Sequence, residues 1–163
     1  MRPTLICRRW SNTQLQLPEA PKSLDEDLKM FAVEVREAIM IAHSLPDPFF
    51  GPAQNKHGAT FVVDVTFFRK ELSEHNVVVD IGRAGTALKK VLSPLNYSDL
   101  DTTPQFAGKL TTTEFLCKHI FDEMRSCIAS GELGPGSEDL VKMRVTLGET
   151  HLARAWYEGD LGD

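Results

Sequence analysis

The chain reads as an α+β domain in the order β-β-α-α-β-β. Three observations predict this. Two strand-like stretches open the regular part, two stretches of helical spacing fill its middle, and two alternating stretches close it. Strand pairs at both ends with helices between them form a four-stranded antiparallel sheet with two helices on one face. At 163 residues, 42% apolar and 25% charged, the chain holds one core-forming domain.

The elements follow in order. Phe31, Val33 and Val35 alternate with Ala32, Glu34 and Arg36, the period of a half-buried strand. A Pro- and Gly-rich loop from Pro46 to Pro52 precedes a second strand, Thr60–Phe68, whose imperfect alternation predicts cover on both faces. Ala84, Ala87, Leu88, Val91 and Leu92 recur at helical spacing after Asp80, and Pro94 ends that helix. Asn96 to Gly108 reads as loop. Thr112 or Thr113 caps a second helix with Phe115, Leu116, Ile120, Phe121, Met124 and Ile128 on its buried stripe, stopped by Gly131, Gly134 and Gly136. Val141, Met143, Val145 and Leu147 alternate as a third strand. Residues 151–158 form a fourth, with Ala153, Ala155 and Tyr157 on one face. Open sheet edges favour oligomerisation.

Composition excludes some functions. A net charge of −5 lacks the basic footprint of a nucleic-acid binder, and no apolar run approaches a membrane span. Cys7, Cys117 and Cys127 have no metal-ligand spacing, and their odd number fits a reducing compartment better than a disulfide framework. Arg2, Arg8 and Arg9 precede the first acid, Glu19. Residues 1–28 therefore read as an extension, either a mitochondrial presequence or a segment docking through Leu5, Ile6, Trp10, Leu15 and Leu17. The domain proper spans 29–160. Localisation is expected to be mitochondrial, with the cytoplasm as the alternative.

Five short signatures fall in register: Ala42-His43-Ser44-Leu45, His57-Gly58, Val79-Asp80-Ile81, Thr111-Thr112-Thr113-Glu114 and Gly148-Glu149-Thr150. In this order the chain resembles the 6-pyruvoyl tetrahydropterin synthase family, which includes the 6-carboxytetrahydropterin synthases, over roughly residues 30–158. The resemblance implies the tunnelling fold, in which trimers join their sheets into a barrel and commonly stack into hexamers. It implies a zinc held by three histidines, of which His43 and His57 match two while Ala59 stands at the third. It implies pterin contacts at Glu149, whose carboxylate accepts paired N–H donors from the ring, and at Thr112, Thr113 and Glu114.

The family's nucleophilic cysteine corresponds to Ala53, and the Asp-His pair that activates it to Asn96 and Tyr97. Asn takes no proton at neutral pH, and an ordinary Tyr titrates too high for a base. Four replacements thus fall on one centre, and no catalytic residue is assigned. The resulting expectation is a tetrahydropterin-synthase-like protein with a degenerate active site, acting as a scaffold or interaction subunit of a homo-oligomer or larger assembly, with a pterin as its implied ligand. The alternatives are a zinc-dependent lyase acting on dihydroneopterin triphosphate with substituted groups, and a pterin-binding sensor.

Overall fold

In the computed structural model, which describes residues 29–162, two long strands carry the sheet. β1 (Phe31–His43) and β2 (His57–Arg69) pair antiparallel along their whole length, from Phe31 opposite Arg69 to His43 opposite His57. β4 (Lys142–Gly148) adds to the other edge of β2, and β5 (Arg154–Asp160) to β4, both antiparallel. β3 (Ser98–Asp99) runs parallel to β1 beside Ile41 and Ala42. The order is β3-β1-β2-β4-β5. The four-stranded, wholly antiparallel expectation is therefore corrected: the loop read after the first helix contributes a short fifth strand. The fourth predicted strand also starts later, at Arg154, leaving Ala153 exposed in the turn.

Side chains alternate across the sheet. On one face Ile39, Ile41, Phe61, Val63, Val65, Phe67, Met143, Val145 and Leu147 are buried beneath α1 (Ile81–Leu92) and α2 (Thr113–Ala129). Each such large side chain contributes about 1.5–3 kcal/mol by leaving water. Among the described residues the other face carries no second layer. Thr60 and Val62 are exposed there, so the described chain itself supplies no cover for the second side of this strand. Asp64 is buried there, and the Arg36 guanidinium donates through Nε and Nη2 to its two oxygens at 2.5 and 2.9 Å.

The helix ends follow from local chemistry. Asp80 caps α1, its carboxylate accepting from the Gly82 and Arg83 amides at 2.8 and 3.1 Å. Thr112, rather than Thr113, caps α2 through the Phe115 amide. At the far end Gly131 takes φ +76°, while the Glu132 amide donates to Cys127 and the Gly131 amide to Ile128. This Schellman turn needs a residue tolerant of positive φ.

Candidate functional site

The site forms where β1 ends and β2 begins. Their register sets His43 directly across from His57, with ring centroids 4.6 Å apart and planes tilted by 60°. Both side chains point to the helix-bearing face. His43 is only 2% exposed, and His57 is half-buried.

Each imidazole is oriented through Nδ1. His43 Nδ1 lies 3.1 Å from the carbonyl oxygen of Thr111 and 3.1 Å from its hydroxyl; His57 Nδ1 lies 2.9 Å from the Asn55 carbonyl oxygen. A carbonyl only accepts, so Nδ1 carries the proton in both rings and Nε2 carries the lone pair. His43 Nε2 is buried and has no hydrogen-bond partner. Burial, and then the neighbouring His57, lower the His43 pKa below its ordinary value, partly opposed by Thr111, Glu149 and Asp101.

Around this pair lies a polar frame. Asp101 accepts from the Ser44 amide at 3.0 Å and from the Ser44 hydroxyl at 2.7 Å. Lys56 bridges Asp99 and Asp101, lying 3.6 Å from the latter. Burial pushes the Asp101 pKa up, but the Ser44 hydrogen bonds and the Lys56 charge outweigh it and hold the carboxyl below its ordinary range. Asp101 and Lys56 escaped the sequence reading, and Thr111 entered it only as part of a signature, with no role toward His43. The one signal for Lys56 was position: it directly precedes His57.

The residues expected to hold a pterin divide. Thr113 donates its hydroxyl to Glu149 Oε2 at 2.8 Å, tying the first turn of α2 to the β4–β5 turn. The Thr112 hydroxyl is occupied as the helix cap, and Glu114 is exposed in the first turn, where a carboxylate complements the helix dipole. Glu149 also borders a groove of about 380 Å³ on the open sheet face, with Arg36, Thr60, Val62, Asp64 and Arg154. A cleft of about 520 Å³ lies at the other end of β2, around Arg69, Arg83 and Gly134, and neither His43 nor His57 lines it.

Ala53, Asn96, Tyr97 and Ala59 make structural contacts. The Ala53 carbonyl accepts from the Leu45 amide across the β1–β2 loop. Asn96 Oδ1 accepts from the Met40 amide at 3.0 Å, and the Tyr97 amide donates to the Met40 carbonyl at 2.7 Å, so both seal the edge of β1. Tyr97 holds φ +56°, and its side chain is 77% exposed. Ala59 follows His57 by two residues on the same face of β2 and packs against the core. Among the described residues no group of three or more His, Cys, Asp or Glu side chains is placed to hold a metal ion. A zinc with three protein ligands does not fit this set. Burial pushes the Cys117 thiol up to about 11 and raises that of Cys127, leaving both as packed small groups.

The family model for 6-pyruvoyl tetrahydropterin synthase matches residues 32–160. The chain belongs to that family. Its fold is shared by the solved 6-pyruvoyl tetrahydropterin synthase of Caenorhabditis elegans, with 22% identity, a TM-score of 0.67, and cover of 80% of this chain and 96% of that one. The Plasmodium falciparum enzyme aligns at 14% identity and a TM-score of 0.65, covering 80% and 98%. The Plasmodium vivax enzyme aligns at 13% and 0.61, covering 81% and 99%. No curated protein sequence matches the chain. Among the described residues no helix is long and apolar enough to cross a membrane.

Proposed function

We propose that this member of the 6-pyruvoyl tetrahydropterin synthase family does not perform the family's lyase chemistry and serves as an interaction or scaffold subunit. The observation that carries the reading is Ala59. A methyl group stands where the pair His43 and His57 needs a third donor, and neither Ala53, Asn96 nor Tyr97 offers a nucleophile or a base in its place. Asn96 spends its carbonyl oxygen on the backbone of β1, and the Tyr97 phenol faces solvent. The partner is a second copy of this chain or a larger assembly, joined through sheet edges such as that of β5, which among the described residues pairs only with β4. The arginines before Glu19 favour a mitochondrial setting, and they lie outside the described residues.

A second reading, a pterin-binding sensor, draws on one contact. Thr113 holds Glu149 in place, so the carboxylate that would grip the amino-pyrimidine edge is oriented before any ligand arrives.

Zinc per chain, pterin affinity and turnover of dihydroneopterin triphosphate, all measured on one purified sample, test both. The expected result is zinc far below one per chain and no product. Near-stoichiometric zinc with product formation overturns the non-catalytic reading. Tight pterin binding without zinc or turnover selects the sensor.

A further inference from the structure

We propose that the open face of the sheet carries a site for a small planar aromatic carboxylate, gripped by Arg154 and Trp156. The strand register builds it. On that face one row runs Val62, Gly148, Arg154 across β2, β4 and β5, and the next runs Asp64, Thr146, Trp156. At these rows β4 supplies only small residues, so larger side chains of β2 and β5 rise on either side of it. The hollow between them comprises two cavities of about 380 and 290 Å³, both lined by Arg36, Asp64, Thr146 and Arg154.

Charge matching selects the head of the ligand. The carboxylates lining the hollow are each held: Glu34 by the Thr66 hydroxyl, Asp64 by Arg36, and Glu149 by Thr113. Arg144 pairs with Glu158. Arg154 is exposed, and among the described residues its guanidinium makes no hydrogen bond or ion pair. One free guanidinium fits one carboxylate, which it takes through two parallel N–H donors. A phosphate chain, with several negative charges, would face the fixed carboxylates with a single free cation to offset them.

Trp156 selects the body. Its indole is 60% exposed on the same face of β5 as Arg154, two residues away, and Val62 is 38% exposed across Gly148. A flat ring laid on the indole removes apolar surface of both from water, while the carboxylate reaches Arg154.

The experiment titrates the full-length protein by calorimetry with naphthoate, the uncharged naphthamide and naphthyl phosphate. Naphthoate is expected to bind once per chain and about tenfold or more tightly than naphthamide, with naphthyl phosphate no tighter than naphthoate. Arg154→Gln abolishes the preference for naphthoate over naphthamide, and Trp156→Leu weakens both. The two positions are exposed, and circular dichroism confirms that the variants fold. Glu149→Gln leaves naphthoate binding unchanged or tightens it, which separates this site from a pterin held by Glu149. Absence of saturable naphthoate binding, equal affinity for naphthamide, or tighter binding of naphthyl phosphate overturns the proposal. So does affinity unchanged in Arg154→Gln or Trp156→Leu, or weakened in Glu149→Gln. Neither zinc nor turnover enters the titration, so its outcome is independent of the non-catalytic reading.

Discussion

The Thr113 hydroxyl donates a 2.8 Å hydrogen bond to Glu149 Oε2, fastening the first turn of α2 to the β4–β5 turn. The contact fixes a carboxylate that would otherwise swing freely at an exposed turn, and leaves its other oxygen for a ligand. On the sensor reading, a pterin's paired N–H donors would meet this carboxylate. Charge-assisted hydrogen bonds contribute about 1.5–3 kcal/mol each, so Glu149→Gln is expected to weaken pterin affinity about tenfold or more. Thr113→Val, which only frees the carboxylate, has a smaller effect. Equal affinities in a fluorescence titration of the parent chain and Glu149→Gln would remove Glu149 from the pocket.

The second prediction concerns the other end of β2. Arg69 is 8% exposed, and its guanidinium donates to the Gly136 carbonyl at 2.9 Å and to Asp139 at 2.6 Å. It pins the loop after α2 to the sheet. Arg69→Leu leaves these acceptors unmatched, and because Asp139 is well exposed only part of the ion pair counts. The expected loss is about 2 kcal/mol in urea denaturation. Gly136 holds φ +82°, so Gly136→Ala costs about 1 kcal/mol through the backbone alone. Midpoints unchanged by Arg69→Leu would mean that the loop is held by other contacts.

These two regions differ in how far the sequence exposes them. Alternation reveals β1, β2 and β4 because one face of each is buried under helices, and periodicity reveals α1 and α2 for the same reason. β3 escapes that logic. Ser98 and Asp99 join the sheet through backbone pairing beside Ile41 and Ala42, next to the bonds that Asn96 and Tyr97 make to Met40, and nothing in their side chains records it. The site is legible in part. His43 and His57 stand out through the resemblance and meet because the strand register pairs them. Thr111, which orients His43, is invisible because the two lie 68 residues apart and touch only once α2 docks. Asp101 and Ser44 are hidden likewise by a separation of 57 residues.

The third prediction follows from the lowered pKa of His43, caused first by burial and then by His57. The unfolded chain takes up a proton near the ordinary value of 6.5, whereas the folded one does so only at lower pH. Between those points the unfolded state binds more protons, so stability is fully present above 6.5 and is lost as pH falls through the folded value. The groups facing the ring, His57, Glu149, Asp101 and Thr111, set how far. Chelator-treated protein is expected to show falling denaturation midpoints on acidification below 6.5. His43→Asn, whose amide N–H can replace Nδ1–H toward Thr111, flattens that slope. An unaltered slope in the variant would assign the effect to other groups.

The last prediction tests the proposed non-catalytic reading at Ala59. Ala59 and His57 share a face of β2 because alternate strand residues point the same way, and Ala59 pairs with Ile41, two residues before His43 on the adjoining strand. An imidazole at 59 would extend from beside the existing pair. His57 and Ala59 are both half-buried, so the new ring meets partial solvent on one side and the core that Ala59 packs against on the other. Ala59→His is expected to raise retained zinc from well below one per chain to nearly one, read by metal analysis after gel filtration, because three imidazoles with one open position satisfy zinc where two do not. Lyase turnover is not expected to follow, since Ala53, Asn96 and Tyr97 still supply neither nucleophile nor base. Zinc retained by the variant without turnover would separate metal binding from catalysis. Zinc absent from a folded Ala59→His protein would show that the backbone no longer brings the three positions together.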